Sequence, residues 1–93
     1  MNIAILGTGY VGLVAGVCFA DAGHDVIGVD SNPAKVQLLQ DGKVPFYEPG
    51  LDDLFQLSRK RMRFTGDIAD AVRATQVVFI AVGTPELPDG SAD

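Results

Sequence analysis

The first twelve residues restrict the fold more than any other segment. Met1-Asn-Ile-Ala-Ile-Leu6 is an apolar, β-branched run, Gly7-Thr-Gly9-Tyr-Val-Gly12 follows at once, and an amphipathic helix pattern comes next. A strand that breaks on glycines and restarts as a helix gives each glycine a task. Gly7 permits the tight turn out of the strand. Gly9 leaves the backbone bare, so a pyrophosphate can approach it. Gly12 lets the helix pack close to the sheet. Free backbone N–H groups at the helix start would then face the phosphates. This is the G-x-G-x-x-G fingerprint of a dinucleotide-binding βαβ unit, in the context that fingerprint requires.

A second strand-like run, Asp25-Val-Ile-Gly-Val-Asp30, ends on a carboxylate 18 positions after Gly12. The fingerprint expects an acid roughly 20 residues on, accepting a ribose hydroxyl. Asp30 could instead merely start the turn before the next helix. Asn32 as N-cap and Pro33 at the first helical position already fill that role.

Composition closes off several other functions. Ninety-three residues suit one domain with a modest core. A net charge of −5 argues against nucleic acid or an anionic membrane as the main partner. The basic cluster Arg59-Lys60-Arg61 with Arg63 reads as a solvated helix end, where cations suit the C-terminal dipole. Without interleaved aromatics it makes no groove for a nucleic acid strand. The one cysteine cannot form an internal disulfide, which fits a reducing, cytoplasmic setting. Cys18 falls on the stripe Val11, Val14, Ala15, Cys18, Phe19, Ala22, which reads as one buried helix face. It is therefore expected to be a small core residue and not a nucleophile. His24, the sole histidine, is expected in a surface turn after Gly23, and no metal site is expected. Ile3 to Ala20 carries no charge, and Gly12-x-x-x-Gly16 mimics a membrane-helix contact motif. No basic residue precedes that run, and Gly7, Thr8 and Gly9 would interrupt a spanning helix, so no membrane segment is expected.

Along the chain the pattern predicts strands at 2–6, 25–30, 62–65 and 76–82. Helices are predicted at 10–22 and 33–41, after Pro49, and from Asp67 to about Ala74. Gly23 and Gly42 can end the first two helices in the left-handed conformation. Leu51, Leu54 and Phe55 should face inward. Gln76-Val-Val-Phe-Ile-Ala-Val82 is a continuous apolar run, as in strands buried on both faces of a parallel sheet. The expected architecture is α/β, a partial Rossmann fold: a four-stranded parallel sheet in order 3-2-1-4 with helices on both faces. Residues 1–93 would form the N-terminal part of that domain, with its further strands and a substrate domain outside this chain.

Several motifs together resemble one family. They are Gly7-Thr-Gly-Tyr-Val-Gly-Leu13, Gly28-Val-Asp30 with Lys35 five positions on, Pro45-Phe-Tyr-Glu-Pro-Gly-Leu51, Val82-Gly-Thr-Pro85 and Asp89-Gly-Ser-Ala-Asp93. Across essentially the whole chain they are similar to the N-terminal NAD-binding domain of the UDP-glucose/GDP-mannose dehydrogenases. Phe46-Tyr47 before Glu48, and the last five residues, look more like the branch that oxidises UDP-glucose. The resemblance implies oxidation of a sugar C6 alcohol to a carboxylate in two steps with two NAD⁺, the second through a thiohemiacetal on a cysteine. That cysteine and its assisting residues lie beyond position 93 in the family, and Cys18 does not match it. This chain alone is therefore expected to be inactive. The resemblance carries cofactor contacts to Tyr10 and Val11 in the glycine turn, to Asp30 and Lys35 at the adenosine ribose, and to Thr84 after the fourth strand. Lys35 could equally be an ordinary exposed lysine. Thr84 could be an ST-turn before Pro85, although ligands of open α/β sheets do bind at the carboxyl ends of strands. Glu48 has no assigned role beyond capping a helix after Pro49.

Other readings stand beside this one: a non-catalytic module that holds NAD, an FAD-binding fold with similar glycines and acid, and a GDP-mannose 6-dehydrogenase. The sugar nucleotide would be bound through regions outside this chain. In the 3-2-1-4 order the fourth strand is an edge although its side chains read as a two-sided core, so self-association is also expected.

Overall fold

The computed structural model describes residues 1–45 and 49–81. The chain runs β1 (Asn2–Leu6), α1 (Tyr10–Asp21), β2 (Asp25–Val29), α2 (Pro33–Gln40), α3 (Leu51–Ser58), a 3₁₀ turn (Arg59–Arg61), β3 (Met62–Thr65), α4 (Ile68–Arg73) and β4 (Val77–Ile80). All pairings are parallel and the strand order is β3-β2-β1-β4, as expected. Ile3 lies opposite both Val26 and Val77, and the carboxyl ends of β1, β2 and β4 finish level at Leu6, Val29 and Ile80.

Local chemistry accounts for the element ends. Asn32 Oδ1 accepts from the N–H groups of Ala34 and Lys35 at 3.0 and 3.3 Å, and Pro33 sits in the first turn of α2. Asp67 Oδ1 accepts from Asp70 N at 3.0 Å and starts α4. Gly23 adopts φ 102° after α1, where its N–H donates to Ala20 O and His24 N donates to Phe19 O, both at 3.0 Å.

Helices cover both faces of the sheet. On one face, Leu13, Val17 and Ala20 of α1, Leu39 of α2, and Leu51 and Phe55 of α3 pack on Ile3, Ile5, Val26, Met62 and Phe64. On the other, Ala71 of α4 packs on Ala4, Ile27 and Val29. Leu51 and Phe55 are buried and Leu54 is partly so, as the pattern of α3 implies.

The buried face of α1 is not the predicted stripe. Gly12, Leu13, Gly16, Val17 and Ala20 face the sheet, whereas Val11, Cys18 and Ala22 are exposed. Cys18 is thus a surface thiol and not a core residue. Before Asp21 at its last position, α1 carries no charged residue to mark its outside, so close backbone approach decides the orientation. A Cβ on Gly16 would lie 3.3 Å from Met62 Cε and 3.5 Å from Val26 Cγ1. The glycines therefore point inward and rotate the bulkier stripe away. His24 also departs from expectation. It is half-buried, stands edge-on to Phe19 at 6.4 Å between ring centroids, and its buried Nδ1 has no hydrogen-bond partner among the described residues.

β4 is an edge strand among the described residues, and Val77, Val78, Phe79 and Ile80 are all exposed. Phe79 touches Phe19 of α1 edge-to-face at 6.0 Å.

Candidate cofactor site

Three strand ends meet at one edge of the sheet. Gly7 follows β1 at φ 103°, and its N–H donates to Val29 O at 2.7 Å. Asp30 follows β2, with its N–H on Thr65 O at 3.2 Å. Gly66 follows β3. Between them lies a cleft of about 270 Å³, walled by Leu6, Gly7, Val29, Asp30, Ser31, Gly66 and Ile68. A larger cleft, about 350 Å³, is lined by Asn2, Asp25, Lys60, Arg61 and Arg63 at the opposite edge. Ligands of open α/β sheets bind outside the carboxyl ends of the strands, so the smaller cleft is the candidate.

Gly12 and Gly9 stand in different surroundings. A Cβ on Gly12 would fall 1.9 Å from Gly7 O and 3.2 Å from Ala81 Cβ, so α1 can meet the turn this closely only through glycine. A Cβ on Gly9 would meet nothing within 4 Å and would project into open space. Asn32 and Asp67 cap α2 and α4, whereas no side chain caps α1 at Gly9. Glycine at this N-cap brings no side chain of its own over the helix start, which suits the approach of an anion. Tyr10 and Val11 stand exposed in its first turn. These features fit a pyrophosphate over the turn.

Asp30 is the best-connected side chain at the site. Its Oδ2 accepts from Thr8 Oγ1 at 2.8 Å and from Thr8 N at 3.1 Å, and Oδ1 accepts from Asn32 N at 2.9 Å. Lys35 Nζ stands 3.6 Å from Oδ2, with side-chain exposures of 30% for the lysine and 13% for the aspartate. Burial pushes the Asp30 carboxyl up. The Asn32 N–H, the Thr8 hydroxyl, the Thr8 N–H and the Lys35 charge together outweigh it, and the carboxyl is held below its ordinary 3.8. Asp30 is thus ionised and aimed at neutral pH.

Residues 1–93 match the UDP-glucose/GDP-mannose dehydrogenase family, NAD binding domain. The chain belongs to that family. Its cofactor is NAD. It is 53% identical over 96 residues to a UDP-glucose 6-dehydrogenase of Rhizobium meliloti strain 1021, covering all of this chain and 22% of that protein. It is 48% identical over 94 residues to a UDP-glucose 6-dehydrogenase of Bacillus subtilis strain 168, covering 99% and 20% respectively. The fold superposes on the GDP-mannose dehydrogenase of Pseudomonas aeruginosa, solved as a ternary complex, with a TM-score of 0.93 at 45% identity, covering all of this chain and 22% of that one. The chain therefore spans about a fifth of the length of these dehydrogenases.

Within this dehydrogenase-family domain, Gly7, Gly9, Gly12, Asp30 and Lys35 come together at one edge of the sheet. Thr84 lies outside the described residues, as do Phe46, Tyr47 and Glu48. Thr8 was not singled out from sequence, yet it is 2% exposed and makes two of the bonds to Asp30. Its signal is Gly28, a glycine inside a strand, which marks a close approach by a neighbour. A Cβ there would lie 3.1 Å from Thr8 Cγ2 and 2.7 Å from Phe64 Cδ1. Among the described residues, no cluster of histidine, cysteine and acidic side chains could hold a metal, and no helix is long and apolar enough to cross a membrane.

Proposed function

We propose that this chain holds the ADP-ribose end of NAD⁺ for an enzyme that oxidises the C6 alcohol of UDP-glucose to the carboxylate. The observation that carries the reading is the ionised Asp30 carboxylate, bonded to the glycine turn itself. In this reading the pyrophosphate lies on the backbone of Gly7–Gly12, with Tyr10 and Val11 beside it. Asp30 and Lys35 receive the adenosine ribose, and the adenine rests against Leu6, Val29, Gly66 and Ile68. Thr84 contacts the cofactor beyond β4. UDP-glucose is chosen over GDP-mannose on the 53% identity to one UDP-glucose enzyme; below that the two classes overlap, at 48% for a UDP-glucose relative and 47% for a GDP-mannose relative. Phe46-Tyr47 and Asp89-Gly-Ser-Ala-Asp93 point the same way. Residues 1–93 act as the N-terminal part of the NAD domain. The nucleophile and the sugar-nucleotide pocket lie in other parts of the enzyme, so this chain alone turns over no UDP-glucose.

Parallel calorimetric titration with NAD⁺, NADP⁺, FAD and UDP-glucose tests the reading. A carboxylate accepts a ribose hydroxyl but repels a 2′-phosphate, and no arginine follows Asp30 to reverse that. NAD⁺ should bind at least about tenfold better than NADP⁺, a difference of roughly 1.4 kcal/mol. Asp30→Ala should weaken NAD⁺ and narrow that gap. Equal curves for the two dinucleotides, or a preference for FAD, would refute the assignment.

A further inference from the structure

We propose that Thr8 is the positioning residue of the ribose site, fixing one oxygen of Asp30 so that the other is presented to the cofactor. The proposal rests on the NAD⁺ reading for its consequence, but its geometry is independent of any ligand.

A carboxylate offers about four lone-pair sites, two per oxygen. Both sites on Oδ2 are taken by Thr8, through Oγ1 at 2.8 Å and N at 3.1 Å, with the Lys35 ammonium at 3.6 Å as well. Among the described residues, Oδ1 accepts only Asn32 N, at 2.9 Å. One acceptor direction is therefore open, and it is on Oδ1. A ribose hydroxyl entering the cleft meets an acceptor whose partner oxygen cannot swing away.

The threonine side chain is itself fixed. Its methyl packs where only glycine can stand at position 28, beside the Phe64 ring. A β-branched residue has few χ1 choices, so a methyl seated on Gly28 sets the direction of the hydroxyl. Lys35 is less suited to the task, because its ammonium is a hydrated point charge on a flexible, 30%-exposed stem. Thr8 also lies between Gly7 and Gly9, inside the turn that would carry the pyrophosphate. The phosphate turn and the ribose acceptor thus form one preorganised body, which reduces the ordering cost of binding.

Two variants separate this role from simple core filling. Thr8→Val keeps the shape and removes the hydroxyl. Thr8→Ser keeps the hydroxyl and loses the methyl. Three quantities are measured for each: calorimetric affinity for NAD⁺, affinity for the analogue with a 2′-deoxyadenosine, and the Asp30 carboxyl titration by NMR in ligand-free protein. Thr8→Val should lose about tenfold in NAD⁺ affinity, as for a lost hydrogen bond to a charged group. It should also discriminate less between NAD⁺ and the deoxy analogue, and titrate Asp30 at higher pH than the wild type. Thr8→Ser, which keeps the hydroxyl without the methyl that aims it, should recover most of the discrimination and of the titration lost in Thr8→Val, even if it melts lower. Lys35 is the charged group paired with Asp30 and is unchanged in both variants, so the difference between them reports the hydroxyl. Unaltered discrimination and titration in Thr8→Val would overturn the proposal, whatever its melting temperature. If the wild type fails to bind NAD⁺, the cofactor reading falls, and the Asp30 titration alone still decides whether Thr8 positions the carboxylate.

Discussion

Alanine at Gly12 and alanine at Gly9 should damage the protein in opposite ways. At position 12 the new Cβ would stand 1.9 Å from Gly7 O and 2.9 Å from Gly7 C, both backbone atoms in a turn already committed to φ 103°. No flexible side chain can yield, so the start of α1 must retreat from the turn by on the order of 1 Å in an interior packed like a crystal. Ala81 Cβ at 3.2 Å, just past the end of β4, closes the same gap. Overpacking typically costs about 1–3 kcal/mol, and a backbone clash belongs at the upper end. For a domain of this size, about 3 kcal/mol lowers the melting temperature by roughly 12–24 °C. Gly9→Ala meets nothing within 4 Å, and Gly9 has φ −70° and ψ −167°, which any residue adopts. Losing glycine as N-cap should cost less than about 1 kcal/mol. Its Cβ would enter the space assigned to the pyrophosphate, so NAD⁺ affinity should fall at least about tenfold, a loss of roughly 1.4 kcal/mol. Thermal melts followed by circular dichroism, with calorimetric titration of NAD⁺ on each folded variant, separate the two. A Gly12→Ala protein that melts with the wild type, or a Gly9→Ala protein with undiminished affinity, would refute the division of labour between these glycines.

Where the sequence was legible, a local rule had a single solution. Gly7 and Gly12 lie on a strand–turn–helix, with Asp30 at the end of the strand that follows, and that spacing admits one arrangement; Asn32-Pro33 and Asp67 start helices by chemistry confined to one turn. The strand order followed from alternating elements and right-handed crossovers. The orientation of α1 was not legible from apolar periodicity, because both of its faces are apolar. Packing distance chose Gly12 and Gly16, and the stripe through Val11 and Cys18 turned outward. Thr8 was missed for a different reason. Its partner is 22 positions away, and only the parallel pairing of β1 with β2 brings the hydroxyl onto Asp30. A side chain that works through a tertiary contact leaves no periodic trace. Gly28, conspicuous inside a strand of branched residues, is the indirect mark of the space it occupies.

Three further outcomes follow from the same geometry. Asp30 has a depressed carboxyl pKa, so its contribution to stability is complete above the ordinary value of 3.8 and is lost as pH falls from there through the folded value. The stability gap between wild type and Asp30→Asn, measured by denaturant titration at stepped pH, should close across that window; a constant gap would show that the ionised form is not what the network stabilises. Cys18 is exposed, so it should react with a thiol reagent in the native protein about as fast as in denaturant, and protection would return it to the core. β4 is predicted to drive self-association, or low stability where no partner strand is found. Its outer edge is unpaired among the described residues, Phe79 and Ile80 are 38% and 69% exposed, and the contact of Phe79 with Phe19 joins the strand to α1, whose Val11 is 63% exposed. An apolar edge beside an apolar helix face is a template for a second strand, and such surfaces seldom stay bare. Sedimentation at several concentrations should show mass rising with concentration, and Phe79→Lys should reduce it by placing a charge on that surface. A stable monomer throughout the range would mean that β4 is covered by other residues of this chain.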